Sequence, residues 1–292
     1  MTRKPIALLM FLSASALVRA QDLTDVKIVK HHVAGNIHML EGRGGNIGVS
    51  VGNDGLLIID DQFAPLAGRI RAALRELNPG ELKFILNTHW HGDHTGGNVE
   101  FGPEAPIIAH TNVRKRLSTP QELFGRTVEP LPEVGLPVIT FDASLSVHFN
   151  GEEIRAWHLP GGHTDGDIVV YFTSSNVLHT GDLFFNGMFP FVDLDHGGNV
   201  EGVARNVAML IEKTPKDAKI IPGHGPIGSI DDLKRFQGML VETSAMVRER
   251  IQAGKSLDEV KTAGLPAQWD SWGTGFIKTD QWLELTYKSL KP

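Results

Sequence analysis

The sequence contains no cysteine. Disulfide bonds, thiolate zinc sites and cysteine nucleophiles are therefore excluded, and any metal ion must be held by His, Asp or Glu side chains. Basic residues are also few, because 28 lysines and arginines face 34 acidic residues and the net charge is −6. This balance argues against a protein that binds nucleic acid. The remaining composition, 41% apolar and 21% charged over 292 residues, is typical of one large globular domain or two small ones.

The N-terminus has the pattern of a secretory signal peptide. Arg3 and Lys4 precede an apolar run over residues 6–18, and Val18-Arg19-Ala20 resembles a cleavage site. The run is short for a membrane-spanning helix, although an uncleaved anchor is the alternative interpretation. We expect residues 1–20 to be removed, the protein to be exported to a bacterial periplasm, and no stable membrane insertion afterwards. Residues 21–292 are predicted to form a single domain.

The rest of the chain alternates between strand and helix patterns in two halves. The first half predicts strands at 26–33, 36–41, 46–51, 56–60 and 84–86, with a helix at 66–77. Residues 119–137, rich in proline and without a clear period, are predicted to be a long surface loop. The second half predicts strands at 138–141, 145–149, 154–159, 168–172, 177–180 and 219–221, and helices at 200–212 and 231–253. This order favours two packed sheets with helices outside them.

Thirteen histidines are present, and several stand where strands end. His89, His91, Asp93 and His94 directly follow a short apolar strand. Residues two apart on an extended segment face the same side, so His89 and His91 can point at one metal ion. Three further residues follow later strands, each in a glycine-containing turn: His163, Asp182 and His224. Together these side chains predict a metal site at one edge of the sheets.

The motifs that carry these residues resemble those of the metallo-β-lactamase superfamily. They are Thr88-His-x-His-x-Asp-His94, Gly162-His163-Thr164, Thr180-Gly181-Asp182 and Pro222-Gly223-His224-Gly225, with Asp60 at a strand end. The resemblance extends from about residue 36 to residue 230. It implies an α/β fold, the four-layer αβ/βα sandwich, with the metals at one edge.

The resemblance also implies a set of metal ligands. His89, His91 and His163 would hold a first Zn²⁺, and Asp93, His94 and His224 would hold a second. Asp182 would bridge them. Other divalent metals suit the same nitrogen and oxygen ligands. Asp93 would also be catalytic by orienting the attacking water and passing on its proton, and Asp60 would order a ligand histidine or the loop.

The implied activity is hydrolysis of a small-molecule substrate. A metal-bound hydroxide would open a cyclic amide, with a β-lactam ring as the first candidate. Asp182 stands where the periplasmic β-lactamases have a cysteine ligand, and Phe185 stands where they have a lysine. These differences keep open a second candidate, a lactone, thioester or other ester hydrolase. A third candidate is a metal-binding protein of the same fold without catalysis, and either a monomer or a homodimer fits the sequence.

Four residues are candidates for contact with the substrate. Phe185 and Phe189 could form an apolar wall, with His196 at its rim, although ordinary core packing is the alternative. Asn199 could polarise a carbonyl group, or could simply cap the next helix. The aromatic-rich tail, about residues 264–292, predicts a final amphipathic helix that packs on the domain or forms a dimer contact or lid. Structural or surface roles are expected for the remaining histidines, with His158 and His179 as possible supports of the site.

Overall fold

A computed structural model of the chain describes Leu23 and residues 25–291. The predicted signal peptide, residues 1–20, lies outside these described residues, and its boundary at residue 21 stays a prediction. The strands in chain order are β1 Val29–Ala34, β2 Ile37–Glu41, β3 Ile47–Gly52, β4 Gly55–Ile59, β5 Leu82–Leu86, β6 Ile107–His110, β7 Gln121–Leu123, β8 Arg126–Val128, β9 Ile139–Phe141, β10 Ser144–Phe149, β11 Glu152–His158, β12 Ile168–Phe172, β13 Val177–His179 and β14 Lys219–Ile221. The helices are α1 Ala67–Leu77, α2 Gly92–Thr95, α3 Asn98–Phe101, α4 Thr111–Leu117, α5 Val200–Lys213, α6 Ile230–Gln252, α7 Leu257–Ala263 and α8 Thr279–Leu290.

Two large sheets carry the fold. The first has the strand order β1-β2-β3-β4-β5-β6-β9, in which the first four strands are antiparallel and the last four are parallel. The second has the order β10-β11-β12-β13-β14, and only its last pair is parallel. Parallel neighbours end at the same edge of a sheet, so the segments after β4, β5, β13 and β14 are the ones that can present side chains together.

The sheets face each other across an apolar layer, and helices cover their outer faces. Residues of both sheets, such as Leu57 and Ile154, share this middle layer. Leu74 of α1 packs on the outside of the first sheet, and Val207 of α5 and Phe236 of α6 pack on the outside of the second. The predicted four-layer αβ/βα sandwich is confirmed.

The segment 119–137 differs from the predicted surface loop. It contains a two-stranded hairpin, in which β7 pairs antiparallel with β8 around a turn at Phe124 and Gly125. Both turn residues have positive φ, 52° and 70°, as the common two-residue hairpin turns require. A phenylalanine is unusual at such a position, so the usual Asn-Gly or Asp-Gly signal of a hairpin is missing from the sequence.

The C-terminal helix predicted from the aromatic tail is present as α8. Its Trp282 is fully buried and donates a hydrogen bond from Nε1 to Thr243 Oγ1 of α6 at 3.1 Å. The tail therefore packs on the second sheet's helical layer. Over the described residues, no helix is both long and apolar enough to cross a membrane.

Candidate metal centre

The first group of predicted ligands meets beyond the ends of β5 and β13. His91 Nδ1 lies 3.1 Å from His89 Nε2 and 2.8 Å from His163 Nε2. Asp182 Oδ2 lies 3.8 Å from His89 Nε2 and 3.5 Å from His163 Nε2. All four side chains are buried, and their potential ligand atoms lie within 4.8 Å of one another.

The second group lies beside the first. Asp93 and His94 belong to the short helix α2, and His224 follows β14. His94 Nε2 is 3.4 Å from His224 Nε2, and Asp93 Oδ2 is 3.3 Å from the same His224 nitrogen. The Asp93 and His224 side chains are 30% and 22% exposed, so this group opens to solvent while the first group is closed.

Asp182 stands between the two groups. Its Oδ2 faces the first group, and its Oδ1 lies 3.1 Å from His94 Nε2 and 3.4 Å from His224 Nε2. Oδ1 is buried and has no hydrogen-bond partner. Gly223 allows this placement, because a Cβ atom there would lie 2.0 Å from Oδ1. One carboxylate thus presents an oxygen to each group, as a bridging ligand would.

The outward nitrogens of four of these histidines make hydrogen bonds to oxygen atoms. His89 Nδ1 donates to Thr88 Oγ1 at 3.0 Å, because that hydroxyl donates its own proton to Asp60. Three more bonds follow the same scheme, from His91 Nε2 to Asp193 Oδ2, from His94 Nδ1 to Asp60 Oδ2 and from His163 Nδ1 to the Phe191 carbonyl, at 2.7–2.8 Å.

These outward bonds decide which nitrogen of each neutral ring keeps a lone pair. A neutral imidazole has one N–H, so the nitrogens of His89, His91 and His163 that face one another are left as acceptors without protons. Acceptors 2.8–3.1 Å apart repel unless a cation lies among them. Together with the unpartnered Asp182 Oδ1, this donor set fits a pair of divalent metal ions.

A family comparison agrees with this geometry. The model of the metallo-β-lactamase superfamily matches residues 40–224, which include every one of the predicted ligands. The chain belongs to the metallo-β-lactamase superfamily.

Curated relatives of this metallo-β-lactamase superfamily member carry two kinds of name. A type 2 metallo-β-lactamase of Bacteroides fragilis is 26% identical over 167 residues, 56% of this chain and 61% of that protein. A hydroxyacylglutathione hydrolase of Pelagibacter ubique is 32% identical over 148 residues, 49% of this chain and 52% of that protein. The aligned part thus spans only half to three fifths of these relatives. Among solved structures, a metallo-β-lactamase from Pontibacter korlensis superposes with a TM-score of 0.62 at 17% identity, over 73% of this chain and 99% of that chain, which shows the shared fold.

Burial and charge together set the protonation of the centre. Burial lowers the pKa of His163 to about 4. Burial also acts on His224, but the carboxylates of Asp182 and Asp93 outweigh it and raise the pKa of that histidine to about 9. Burial disfavours the charged form of Asp182, yet the surrounding histidines hold the pKa of this carboxyl well below its usual range. Asp182 is consequently an anion at neutral pH, as a metal ligand must be.

Asp60, for which the sequence analysis expects a supporting role, lies behind both ligand groups. It is fully buried, with a positive φ of 65°, and its Oδ1 accepts the Thr88 N–H at 2.7 Å. Its Oδ2 accepts from both Thr88 Oγ1 and His94 Nδ1. A single carboxylate therefore positions a histidine of each group, His89 through the threonine and His94 directly.

The sequence analysis missed two supporting carboxylates. Asp193 accepts from His91 on one oxygen and from His196 Nδ1, at 2.7 Å, on the other. Asp167 accepts three hydrogen bonds from the turn that carries His163, including that residue's backbone N–H at 2.6 Å. The spacing Thr164-x-x-Asp167 is a known turn pattern that could have revealed Asp167. No local pattern links Asp193 to His91, which is 102 residues away.

The structure separates the four predicted substrate contacts. Phe185 stacks on the His224 ring, with centroids 4.9 Å apart and an angle of 19°, so it does lie beside the second group. Phe189 follows the alternative of ordinary core packing and not the wall position, because this side chain is 1% exposed and stacks on Trp282. His196 is buried and packs against Trp90 rather than standing at a rim.

Asn199 caps helix α5, as the alternative interpretation expected. Its Oδ1 accepts the Gly202 N–H at 2.9 Å, so the carbonyl of this amide is already engaged.

Two of the remaining histidines support turns near the centre, as expected. His179 is buried, accepts the Gly181 N–H on Nδ1 and donates from Nε2 to the Asn46 carbonyl. His158 donates from Nδ1 to the Asp167 carbonyl at 2.9 Å. Neither ring belongs to the two ligand groups among the described residues.

Proposed function

We propose that this chain is a zinc-dependent hydrolase with two metal ions in one centre. His89, His91 and His163 would hold the first ion, and Asp93, His94 and His224 the second, with Asp182 shared. The observation that carries the proposal is the set of proton-free nitrogens that face one another in the first group, together with the unpartnered Asp182 Oδ1 beside the second group. A supporting carboxylate or carbonyl behind a ligand histidine is what metal sites ordinarily have.

The residues around the centre can supply the proton handling that hydrolysis needs. Zinc ions bound there would supply Lewis acidity, which lowers the pKa of water and polarises a carbonyl group. Asp93 is the more exposed of the two carboxylates in the set, although most of it is buried, and the charges of His94 and His224 hold its pKa well below the usual range. It is therefore ionised at neutral pH and placed to accept a proton from an attacking water and deliver it to the leaving group.

The proposed substrate is a small molecule with an activated carbonyl, and a β-lactam ring is the first candidate. The relative from Bacteroides fragilis named a metallo-β-lactamase supports this choice. Predicted export would bring such an enzyme to the compartment where these compounds act.

A specific observation favours the second candidate, a lactone or thioester hydrolase. The Phe185 ring lies on His224, where an attractive cation for a substrate carboxylate would be useful to a β-lactamase. The relative from Pelagibacter ubique is named as a hydrolase of a glutathione thioester. Both candidates use the same centre and differ in what surrounds it.

The first experiment measures metal content and hydrolysis on the same zinc-loaded preparation. We expect two zinc equivalents per chain by elemental analysis, and a kcat/KM of about 10⁴ M⁻¹s⁻¹ or more for a β-lactam or, failing that, a lactone or thioester panel. His91→Ala should abolish both turnover and the first zinc equivalent. His148→Ala, which removes an exposed histidine of β10, is the matched control and should keep both.

Two results would contradict the proposal in different ways. Two bound zinc ions with no turnover on any panel member would favour the metal-binding protein without catalysis. Turnover that survives His91→Ala would place the reaction elsewhere on the chain.

A further inference from the structure

Two phenylalanines are, histidine aside, the only exposed aromatic side chains among the described residues. Phe124, at the tip of the β7–β8 hairpin, is 62% exposed, and Phe276, just before α8, is 69% exposed. Their ring centroids are 6.0 Å apart in an edge-on arrangement. Two segments more than 150 residues apart in the chain thus place apolar rings side by side in water.

The backbone at Phe124 adds a second sign of function. Its φ of 52° lies in the left-handed region, which is costly for a bulky residue and favours Gly, Asn or Asp in a hairpin turn. Gly125 beside it already supplies the usual residue at the second turn position. A side chain that is mostly exposed on strained backbone gains little from burial, so its position calls for another role.

The exposed pair continues into the metal centre through Phe191. The Phe124 and Phe191 centroids are 4.8 Å apart, and Phe191 lies 5.6 Å from the His91 ring and 5.9 Å from the His163 ring. The Phe191 carbonyl also holds His163. Phe124, Phe191 and Phe276, here called the aromatic rim, therefore run from solvent to the first ligand group.

We propose that the aromatic rim binds an apolar, ring-containing substituent of the substrate while the neighbouring centre acts on its carbonyl. The exposed rings of Phe124 and Phe276 offer faces and edges to another ring, since aromatic rings pack favourably in offset or edge-on arrangements. Because the rim is continuous with the ligand histidines, a small substrate is the occupant that fits it, in preference to a second protein copy or a lipid surface. The inference rests on the proposed function, because it assigns the rim to the substrate of the same centre.

The test uses two zinc-binding probes that differ by one phenyl ring and do not need to be hydrolysed. Calorimetric titration of the zinc-loaded chain compares acetohydroxamate with phenylacetohydroxamate. We expect the phenyl compound to bind about tenfold more tightly. Phe124→Ala and Phe276→Ala should each reduce this preference about fivefold and leave the dissociation constant of acetohydroxamate within about twofold.

A matched variant separates the rim from exposed apolar surface in general. Val241→Ala removes an exposed apolar side chain from α6 and should leave the preference unchanged. Zinc content and melting temperature are measured on every variant, and Phe124 and Phe276 are exposed enough for the fold to tolerate their loss.

Each outcome bears on one proposal or the other. An equal affinity for the two probes in the unaltered chain, or a preference that survives both rim substitutions, overturns the rim. In the second case, a change of mass in sedimentation or of binding to phosphatidylglycerol vesicles would assign the rings to a dimer or a membrane. If the chain hydrolyses a panel member but the rim substitutions do not change its preference for the phenyl probe, the proposed function stands and the rim proposal fails. If that preference depends on the rim but the chain hydrolyses nothing, the rim proposal stands and the hydrolase proposal fails.

Discussion

At the scale of single residues, Asp193 links a ligand histidine to the protein around it. Its two oxygens accept from His91 and from His196, and His196 in turn packs on Trp90. His196, which the sequence analysis considers as a substrate contact, instead donates a hydrogen bond to this carboxylate. A carboxylate behind a metal-bound imidazole fixes the ring and raises its basicity.

Replacing Asp193 with alanine should weaken zinc binding without unfolding the chain. We expect the affinity of the first site to fall by about 10- to 100-fold, since His91 loses the acceptor that orients it. Asp193→Asn should recover part of the loss, because its carbonyl oxygen can still accept from Nε2. Zinc affinity is measured in competition with a coloured chelator.

The control for this prediction lies two residues away. Asp195 is exposed, so Asp195→Asn removes the same charge without touching His91. Equal affinities for Asp193→Ala and Asp195→Asn would rule out the supporting role.

The stacked pair His110 and His158 predicts a dependence of stability on pH. Their ring centroids lie 3.8 Å apart, and burial together with the charge of His158 lowers the pKa of His110. The unfolded chain, where the pKa is about 6.5, then binds protons more readily than the folded chain. The stability from this pair is therefore complete above about pH 6.5 and is lost as the pH falls below it.

Removing one charge from the pair should flatten this dependence. In His158→Asn the amide can still donate to the Asp167 carbonyl, as His158 Nδ1 does. We expect urea unfolding to show a smaller loss of stability between about pH 7 and pH 5 in the variant than in the unaltered chain. Comparing the two chains cancels the loss of metal that both suffer in acid, and identical slopes would contradict the prediction.

At the scale of elements, the strands could be predicted because their sequences are apolar and end in turn residues. The segments after β5, β13 and β14 bring His89, Asp182 and His224 to one place because those strands have parallel neighbours. Sequence order alone, together with this rule, was enough to expect a common edge. The ligand groups in the structure have the membership that the family resemblance implied.

The β7–β8 hairpin shows where such reasoning fails. Its strands are three residues each, and its turn begins with Phe124, which has no intrinsic preference for positive φ. A local sequence pattern does not predict a positive φ that tertiary contacts impose on a residue with no preference for it. The position of Phe276 beside Phe124 could not be predicted either, because it depends on how two segments that are distant in the sequence fold together.

Phe189 separates core packing from substrate contact in the loop after Asp182. Because it is buried against Trp282 and its N–H bonds to the Trp272 carbonyl, Phe189→Ala should lower the free energy of unfolding by about 3–5 kcal/mol. KM should stay unchanged. Phe185→Ala is the comparison, since its ring covers His224 and its removal should alter KM. A large KM change in Phe189→Ala with unaltered stability would restore the wall interpretation.

At the scale of the whole molecule, the centre lies between the two sheets. His89, His91, Asp93 and His94 come from the first sheet's loops, and the other ligands come from the second. Bound metal would therefore add a connection between two halves that also meet through their shared apolar layer and through hydrogen bonds such as that from His91 to Asp193. This predicts that metal contributes to global stability as well as to chemistry.

Removing the metal should lower both activity and melting temperature. Free zinc at 100 times its dissociation constant stabilises the folded chain by about 2.7 kcal/mol per site. Scanning calorimetry of the zinc-loaded and chelator-treated chain measures the difference, and equal melting temperatures would contradict it. The site of Asp93 and His224 should empty first, since those side chains are partly exposed and those of the first group are closed.

The distribution of ligands along the chain also orders events during folding. The first group is incomplete until residue 182 has folded into place, and the second until residue 224 has done so. A chain in which only the first sheet has formed presents four of the ligand side chains but completes neither group. Completion of the centre is consequently a late step of folding, and a chain truncated before β14 lacks His224 and with it part of the second group.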